Sequence, residues 1–238
     1  MRQIHRFASL PSTMQTAVEL ARTGCPSGTV VVAAEQTAGQ GRFGRTWHSE
    51  PDTGLYMSQV LRLTMRPDSL PLVTLALGLA TAEAITNTAN VAPDLRWPND
   101  VLLKGRKCAG ILVQLHDGVL ISGIGINVNH TAFPPELAAI ATSLRIATGR
   151  EQNMDSLLDA LITAVDDHVE RLKQSGKDPV LRAFSQASSF VRGRRVVVDQ
   201  NGVELTGVTD GLDPQGFLWL RQDNGRRSLV LAGGVRPA

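Results

Sequence analysis

The period of the hydrophobic pattern changes along the chain, and the changes separate helices from strands. Apolar residues recur at three- and four-residue steps from Met154 to Leu172, which predicts an amphipathic helix. Shorter helices are expected from a cap at Ser12 to about Arg22 and over Pro179–Ser188. The stretch Pro71–Asn87 predicts a buried helix, since its apolar run is short and interrupted by polar residues, unlike a membrane span.

A run of β-branched residues predicts a strand over Thr29–Val32, and Thr53–Leu63 (T-G-L-Y-M-S-Q-V-L-R-L) predicts a second one. Lys107–Leu115 and Val119–Asn129 flank an Asp-Gly turn and predict an antiparallel hairpin. Its second strand has one mostly apolar face, whereas the opposite face carries Gly123, Gly125, Asn127 and Asn129. Two glycines on one face indicate close approach by another group. A ligand is favoured there over a bulge or a packed helix.

The first strand of this hairpin leaves one point open. Strict alternation places Lys107 and Gly110 on opposite faces. Either a bulge intervenes, or Lys107 precedes the regular strand and its long stem reaches round.

From Arg192 onward, short β-rich runs alternate with turn residues. Hairpin-type turns are expected at Asn201-Gly202, Asp213–Gly216 and Asn224-Gly225, which predicts a small C-terminal β-barrel. We therefore expect two domains, residues 1–190 and 191–238. Paired arginines in the second are expected to be solvated surface charge, with an acidic partner as the alternative.

The composition is typical of a globular protein and gives no sign of a cysteine-based metal site or a signal sequence. The 238 residues are 42% hydrophobic and 19% charged, which is typical of a globular protein. A net charge of +2 does not by itself indicate nucleic acid. Cys25 and Cys108 lack metal-ligand spacing and are expected to be reduced thiols, with Cys108 packed in a strand. The N-terminus has no apolar signal core, so a cytoplasmic location is expected.

The candidate chemistry centres on a glycine–arginine loop, Gly39–Trp47, which reads G-Q-G-R-F-G-R-T-W. Its glycines let backbone N–H groups approach a ligand. Arg42 and Arg45 supply guanidinium groups, which can donate two parallel hydrogen bonds to a phosphate or a carboxylate. An anionic ligand that orders the loop is one interpretation, and a surface hairpin with solvated arginines is the other. Further along, Pro98 precedes Asn99 and Asp100, which are expected in a turn.

Four blocks together resemble the biotin protein ligases, enzymes that attach biotin to a lysine of a carboxylase carrier domain. The blocks are Gly39–Trp47, Trp97–Asp100 (Trp-Pro-Asn-Asp), Lys107–Leu112 (Lys-x-x-Gly-Ile-Leu) and Gly123–Asn127 (Gly-x-Gly-Ile-Asn). Gln40 stands where the family usually has arginine, and Arg96 stands where lysine commonly precedes the tryptophan. Their effects on ligand binding are open.

The resemblance implies an α+β fold, with a mixed sheet flanked by helices as in class II aminoacyl-tRNA synthetases, followed by the small C-terminal β-barrel. It implies that biotin and MgATP form biotinyl-5′-AMP and pyrophosphate, after which the carrier lysine attacks the mixed anhydride. Because the cap at Ser12 comes so early, the form without an N-terminal helix-turn-helix is expected.

The resemblance also implies roles for particular residues. Lys107 and Arg42 would be catalytic, with Lys107 bridging the biotin carboxyl and the α-phosphate. The biotin-binding residues would be Ser12, Thr13, Gln36, Gly39, Arg42, Lys107, Gly110, Gly123 and Gly125. Adenylate binding would fall to Arg42, Arg45, Trp47, Lys107 and Asn127. Trp47 would pack near the adenine or anchor the loop. Asp100 and Asn127 are candidates to hold Mg²⁺, with a structural hydrogen bond as the alternative for Asn127.

Biotin, ATP and a carboxylase carrier domain are the expected partners, with neither nucleic acid nor membrane, and the chain would be a monomer or homodimer. A lipoate or octanoate ligase or transferase of the same fold is the closest alternative. A non-catalytic biotin sensor or nucleic-acid binder is more remote, suggested only by the pI near 8.8 and the paired arginines.

Overall fold

Two β-sheets organise the chain in the computed structural model, which describes residues 2–63, 69–200 and 202–238. The first sheet has seven strands in the order β1-β2-β3-β7-β6-β5-β4. Among the strand pairs of the described residues only β1 and β2 run in parallel, so the sheet is mixed as expected. Its strands are β1 Ile4–Leu10, β2 Val30–Gln36, β3 Gly54–Leu61, β4 Asp94–Arg96, β5 Asp100–Leu103, β6 Arg106–His116 and β7 Val119–Asn127.

Helices cover both faces of this sheet. One face packs against α1, where Met14 and Ala17 meet Val31, Val60 and Ile121. The other face packs against α2 and α5, within a large core that includes the Leu120, Ile124 and Ile126 face of β7. The helices are α1 Thr13–Arg22, α2 Leu70–Ala89, α3 Pro135–Ala138, α4 Leu144–Thr148, α5 Met154–Ser175 and α6 Lys177–Ala187. The predicted mixed sheet with flanking helices is confirmed.

The long apolar helix α2 is longer than the sequence suggested. At 20 residues and a mean hydropathy of 1.3 it reaches the length and apolarity of a membrane span, which corrects the expectation that it is too short. However, 61% of it is buried inside the fold, as expected of a core helix.

His168 of α5 contacts α2 through a 2.9 Å hydrogen bond to Glu83, so this histidine has a packing role.

A register shift between β5 and β6 settles the position of Lys107. Val101 pairs with Ala109, but its neighbour Leu102 pairs with Lys107, so the β6 strand bulges between them. The bulge brings the Lys107 side chain to the same side as Gly110, where its Nζ lies 3.0 Å from the position a Cβ on Gly110 would take. The bulge alternative is therefore confirmed.

The second sheet is antiparallel, with five strands in the order β11-β10-β9-β8-β12. Buried residues of both sheets belong to one continuous core. Trp97, which is almost fully buried, donates from Nε1 to the carbonyl of Gly216 at 2.8 Å and so joins the two parts directly. The division into two domains stays a prediction. The strands are β8 Arg192–Gln200, β9 Val203–Leu212, β10 Leu218–Gln222, β11 Arg227–Val230 and β12 Gly234–Pro237.

Four strands differ from the sequence expectation. β1 and β12 were not predicted, and the block after Asp94 forms a hairpin of β4 and β5 in which the turn covers residues 97–99 and Asp100 already belongs to a strand. The predicted turn at Asn201-Gly202 falls partly outside the described residues, because Asn201 is not among them.

Cys108 is buried in β6 as expected, and burial raises the pKa of its thiol to about 12.

Candidate active site

The glycine–arginine loop folds back on itself between β2 and β3. The backbone N–H of Gly41 donates to Arg45 at 2.7 Å, and that of Trp47 donates to Gly39 at 2.9 Å. A side chain on Gly39 would lie 2.7 Å from the Trp47 carbonyl oxygen, so only glycine allows this closure. The loop tip passes through positive φ at Phe43, which is exposed. Glycine at position 39 thus shapes the loop.

Arg42 attaches the loop to the rest of the protein. Its Nη1 donates to Asn99 Oδ1 at 3.1 Å and to the Gly233 carbonyl oxygen at 3.4 Å. Burial lowers the pKa of this guanidinium, although the charge of Asp100 opposes the shift. Arg42 therefore holds the loop between the large sheet and the C-terminal sheet, and the loop is more than a solvated surface hairpin.

Trp47 occupies the space above the glycines of β6 and β7. A Cβ on Gly125 would lie 2.6 Å from Trp47 Cε2, and a Cβ on Gly110 would lie 2.9 Å from Cζ3. The Nζ of Lys107 is 5.2 Å from the Trp47 ring centroid, within reach of a cation–π interaction. Gly123 instead faces Met14, whose Sδ would be 2.7 Å from an added Cβ. The close approach indicated by the glycines is real, but in this structure side chains of the protein itself make it.

Lys107, Asp100 and Arg96 form a tight ionic group beside this ring. Lys107 Nζ lies 2.6 Å from Asp100 Oδ1, and Arg96 Nη2 lies 2.7 Å from Asp100 Oδ2. Burial alone would raise the pKa of Asp100, but the two cations outweigh it and the net pKa falls below its usual range. The backbone of Lys107 is fixed as well, because its N–H donates to Ile140 at 2.8 Å. The ammonium group is therefore held in one place.

A polar end of the site lies at the start of α1. Both the backbone N–H and the hydroxyl of Thr13 donate to Gln36 Oε1, at 2.9 and 3.1 Å, and the Thr13 hydroxyl also contacts Ser58 at 2.8 Å. Ser12 begins the helix as expected, but its side chain makes no capping hydrogen bond. Its hydroxyl is buried and has no partner among the described residues. A buried hydroxyl in this state is suited to a ligand's polar group.

The residues predicted to hold magnesium are both engaged by other parts of the protein. Each carboxylate oxygen of Asp100 faces a cation, as described above. Asn127 donates from Nδ2 to the Thr142 carbonyl oxygen at 3.1 Å. This donor set, taken alone, does not resemble the oxygen cage that Mg²⁺ prefers.

Two adjoining cavities bring the predicted residues together. The inner cavity, of about 50 Å³, is lined by Ser12, Thr13, Gln36, Gly110, Gly123 and Gly125 among others. The outer cavity, of about 250 Å³, includes Arg45, Asp100, Asn127 and Phe133 in its lining. Gly41, Arg42, Trp47, Asn99 and Lys107 line both. Gly39 is the predicted residue that lies in neither lining.

Sequence reasoning missed several residues of the site. Asn99 was assigned only to a turn, yet it accepts from Arg42 and donates from Nδ2 to the Ile111 carbonyl oxygen at 3.0 Å. Met14 could have been found from its place on the inward side of α1, next to Thr13. The sequence around Gly233 does not indicate a role in the site, because this residue contacts Arg42 only through the packing of the second sheet.

Comparison with known proteins agrees with this geometry. A model of the biotin/lipoate A/B protein ligase family matches residues 6–130. The bifunctional ligase/repressor BirA of Bacillus subtilis is 34% identical over 230 residues, covering 94% of this chain and 70% of that protein. The biotin–[acetyl-CoA-carboxylase] ligase of Mycobacterium tuberculosis is 31% identical over 239 residues, covering 98% of this chain and 88% of that protein.

The fold is shared at the level of the whole chain. The solved structure of the biotin protein ligase from Aquifex aeolicus in complex with biotin and ATP has a TM-score of 0.87 to this chain and 28% identity, and 99% of each chain is covered. The four sequence blocks, the cavities they line and these matches lead to one conclusion: the chain belongs to the biotin/lipoate A/B protein ligase family.

Proposed function

We propose that this chain is a biotin–protein ligase, which joins biotin to AMP and then transfers biotin to a lysine of a carboxylase carrier domain. The observation that supports it most is the place of Lys107, which lines both cavities at their junction. Two adjoining sites with a cation between them suit a reaction between a carboxylate and a triphosphate, because the cation offsets the repulsion of the two anions. The relatives named above support biotin as the carboxylate and ATP as the nucleotide.

Repulsion between the two anionic substrates of the first step explains why cationic side chains line the cavities. Two unit negative charges 4 Å apart repel by about 4 kcal/mol at an effective dielectric constant near 20. A carboxylate oxygen of biotin attacks the α-phosphorus, the bond to pyrophosphate breaks, and the leaving pyrophosphate takes the electron pair. Lys107 would offset the repulsion at the reacting atoms, while Arg42 and Arg45 would neutralise phosphate charge in the outer cavity.

The two halves of the ligand have separate surroundings. Ser12, Thr13 and Gln36 would hydrogen-bond the ureido group of biotin, which must be satisfied when buried. The valeryl chain would run from these three residues toward Lys107, along the lining that the two cavities share.

Magnesium enters this scheme as part of the substrate. Both oxygens of Asp100 are paired with cations, so the nucleotide's own phosphates would be the main ligands of the ion. We propose MgATP as the nucleotide, with Asp100 as the residue that positions Lys107.

In the second step the carrier's neutral lysine amine attacks the carbonyl carbon of the anhydride, AMP leaves with the electron pair of the broken bond, and the nitrogen releases one proton to water. The nucleophile therefore comes from the partner protein. The exposed loop tip at Phe43 and Ile140 line the outer cavity, where the carrier would approach. We place catalysis in residues 1–190, and the contact from Arg42 to Gly233 gives residues 191–238 a part in holding the loop.

Biotin-dependent ATP–pyrophosphate exchange, followed by transfer to a carrier domain, tests this function. Exchange should require biotin, and lipoate at the same concentration should support much less of it. Because the matching family includes lipoate ligases, exchange with lipoate alone would identify the chain as a lipoate enzyme instead. Absence of exchange with both acids would refute the proposal.

Biotin and ATP should bind with positive coupling. Gly41, Arg42 and Trp47 of one loop line both cavities, so ordering the loop around the first ligand removes part of the entropy cost of binding the second. Titration calorimetry with an ATP analogue that cannot be cleaved between the α- and β-phosphates should show about 5- to 150-fold tighter binding when biotin is present. Equal affinity with and without biotin would contradict this.

A further inference from the structure

Two imidazoles and one carboxylate meet at the end of the large sheet. Gly54, at the start of β3, pairs with Asn127 at the end of β7. The backbone N–H groups of residues 128 and 129 both donate to the Thr53 carbonyl oxygen, at 3.2 and 2.6 Å. The segment that enters β3 and the segment that leaves β7 are therefore adjacent. They carry His48 and Glu50 on one side and His130 on the other.

The three side chains present donor atoms to one small volume. One ligand atom from each of His48, Glu50 and His130 lies within 4.8 Å of the other two. His48 Nε2 and Glu50 Oε1 are 3.2 Å apart. The backbone of Glu50 is fixed, because its carbonyl oxygen accepts from the Tyr56 hydroxyl at 3.1 Å and from the Thr53 hydroxyl at 3.2 Å.

His130 is the unusual member of this group. Its exposed fraction is 0%, and neither ring nitrogen has a hydrogen-bond partner among the described residues. Its ring stacks on Phe133 with centroids 5.1 Å apart and 14° between the planes, which fixes its orientation. A buried imidazole without hydrogen-bond partners has a ring nitrogen to offer to a ligand.

We propose that His48, Glu50 and His130 bind a divalent transition-metal ion of the zinc class. Two imidazole nitrogens and one carboxylate oxygen are a set that such ions take readily, with water at the fourth position. The 3.2 Å contact of His48 with Glu50 accounts for two of these groups but leaves His130 without a partner among the described residues, whereas a metal ion satisfies all three. Because His48 follows Trp47 directly, the ion would tie the end of the glycine–arginine loop to the segment that follows β7.

Calorimetric titration of the metal-stripped full chain with zinc chloride tests the site without any assay of ligase activity. One ion per chain should bind to the wild type. His48→Asn and Glu50→Gln should each weaken binding by more than about 100-fold, since losing a ligand costs more than losing an outer partner of one. His116→Asn is the matched control, because that imidazole contacts Gln114 on β6, away from the cluster.

Cobalt(II) gives an independent readout. The wild type and the control should show the visible absorption of a four-coordinate cobalt ion, and His48→Asn and Glu50→Gln should not. Circular dichroism of the metal-free proteins checks that each variant is folded. Failure of the wild type to bind one zinc ion, or binding that both variants retain, would overturn the proposal. Neither result would bear on the ligase function, which is measured separately by pyrophosphate exchange.

Discussion

Replacing Lys107 by alanine should reduce biotin-dependent ATP–pyrophosphate exchange by about 10²–10³-fold, the usual cost of removing a preorganised donor at a developing charge. The ammonium group lies at the junction of the two cavities and is held 2.6 Å from Asp100. The variant should remain folded, because Asp100 keeps its contact with Arg96 at 2.7 Å. Exchange kinetics and urea unfolding of the same preparation measure both quantities.

Lys173→Ala is a suitable control for this variant. Lys173 lies on the exposed side of α5 and pairs only with Glu170, one turn away, among the described residues. Its removal should leave exchange unchanged. Near-normal exchange in Lys107→Ala would show that this lysine does not assist the reaction.

Asp100→Asn should lower both stability and turnover. The amide leaves the cations of Lys107 and Arg96 without their counter-charge, and breaking a buried ionic group costs about 3–5 kcal/mol. We expect about 2–3 kcal/mol here, since the Asp100 side chain is 16% exposed. Loss of the fixed position of Lys107 should lower kcat by about 10²-fold, with a smaller change in KM. Urea unfolding and steady-state exchange kinetics measure these effects.

The pH dependence of this stability loss identifies its cause. The pKa of Asp100 is depressed in the folded protein, so its contribution is present in full above the unfolded value of about 3.9 and is lost as pH falls through the folded value. The difference between wild type and Asp100→Asn should be constant from pH 7 to about 5 and shrink below about pH 4. A difference that grows in acid would contradict the ionic account. Asp223→Asn, which alters an exposed pair with Arg195, should cause no measurable change.

The sequence predicted the elements whose pattern is long and regular. The amphipathic helix α5 and the hairpin of β6 and β7 follow directly from their periods. The edge strand β1 was missed because its apolar residues remain exposed, with Ile4 at 40% and Phe7 at 38%. An edge strand of this kind has little of the inward-outward contrast that identifies a strand.

The sequence identified most residues of the site but did not predict how they are arranged in space. The bulge that moves Lys107 beside Gly110 depends on pairing with β5 and on a backbone contact to Ile140, and neither is local in sequence. Likewise, the glycine at position 125 predicts that another group lies close to it, but the sequence does not identify that group as Trp47. Ser12 starts a helix as predicted, but the surrounding packing leaves its hydroxyl without a capping bond. Long-range contacts decide each of these points.

A crystal structure of the wild-type chain soaked with biotin and nucleotide tests the central claim most directly. The account predicts a ligand that spans both cavities, with Lys107 Nζ about 3 Å from a carboxyl or α-phosphate oxygen and the glycine–arginine loop closed over it. A ligand bound elsewhere, with that loop extended into solvent, would contradict it.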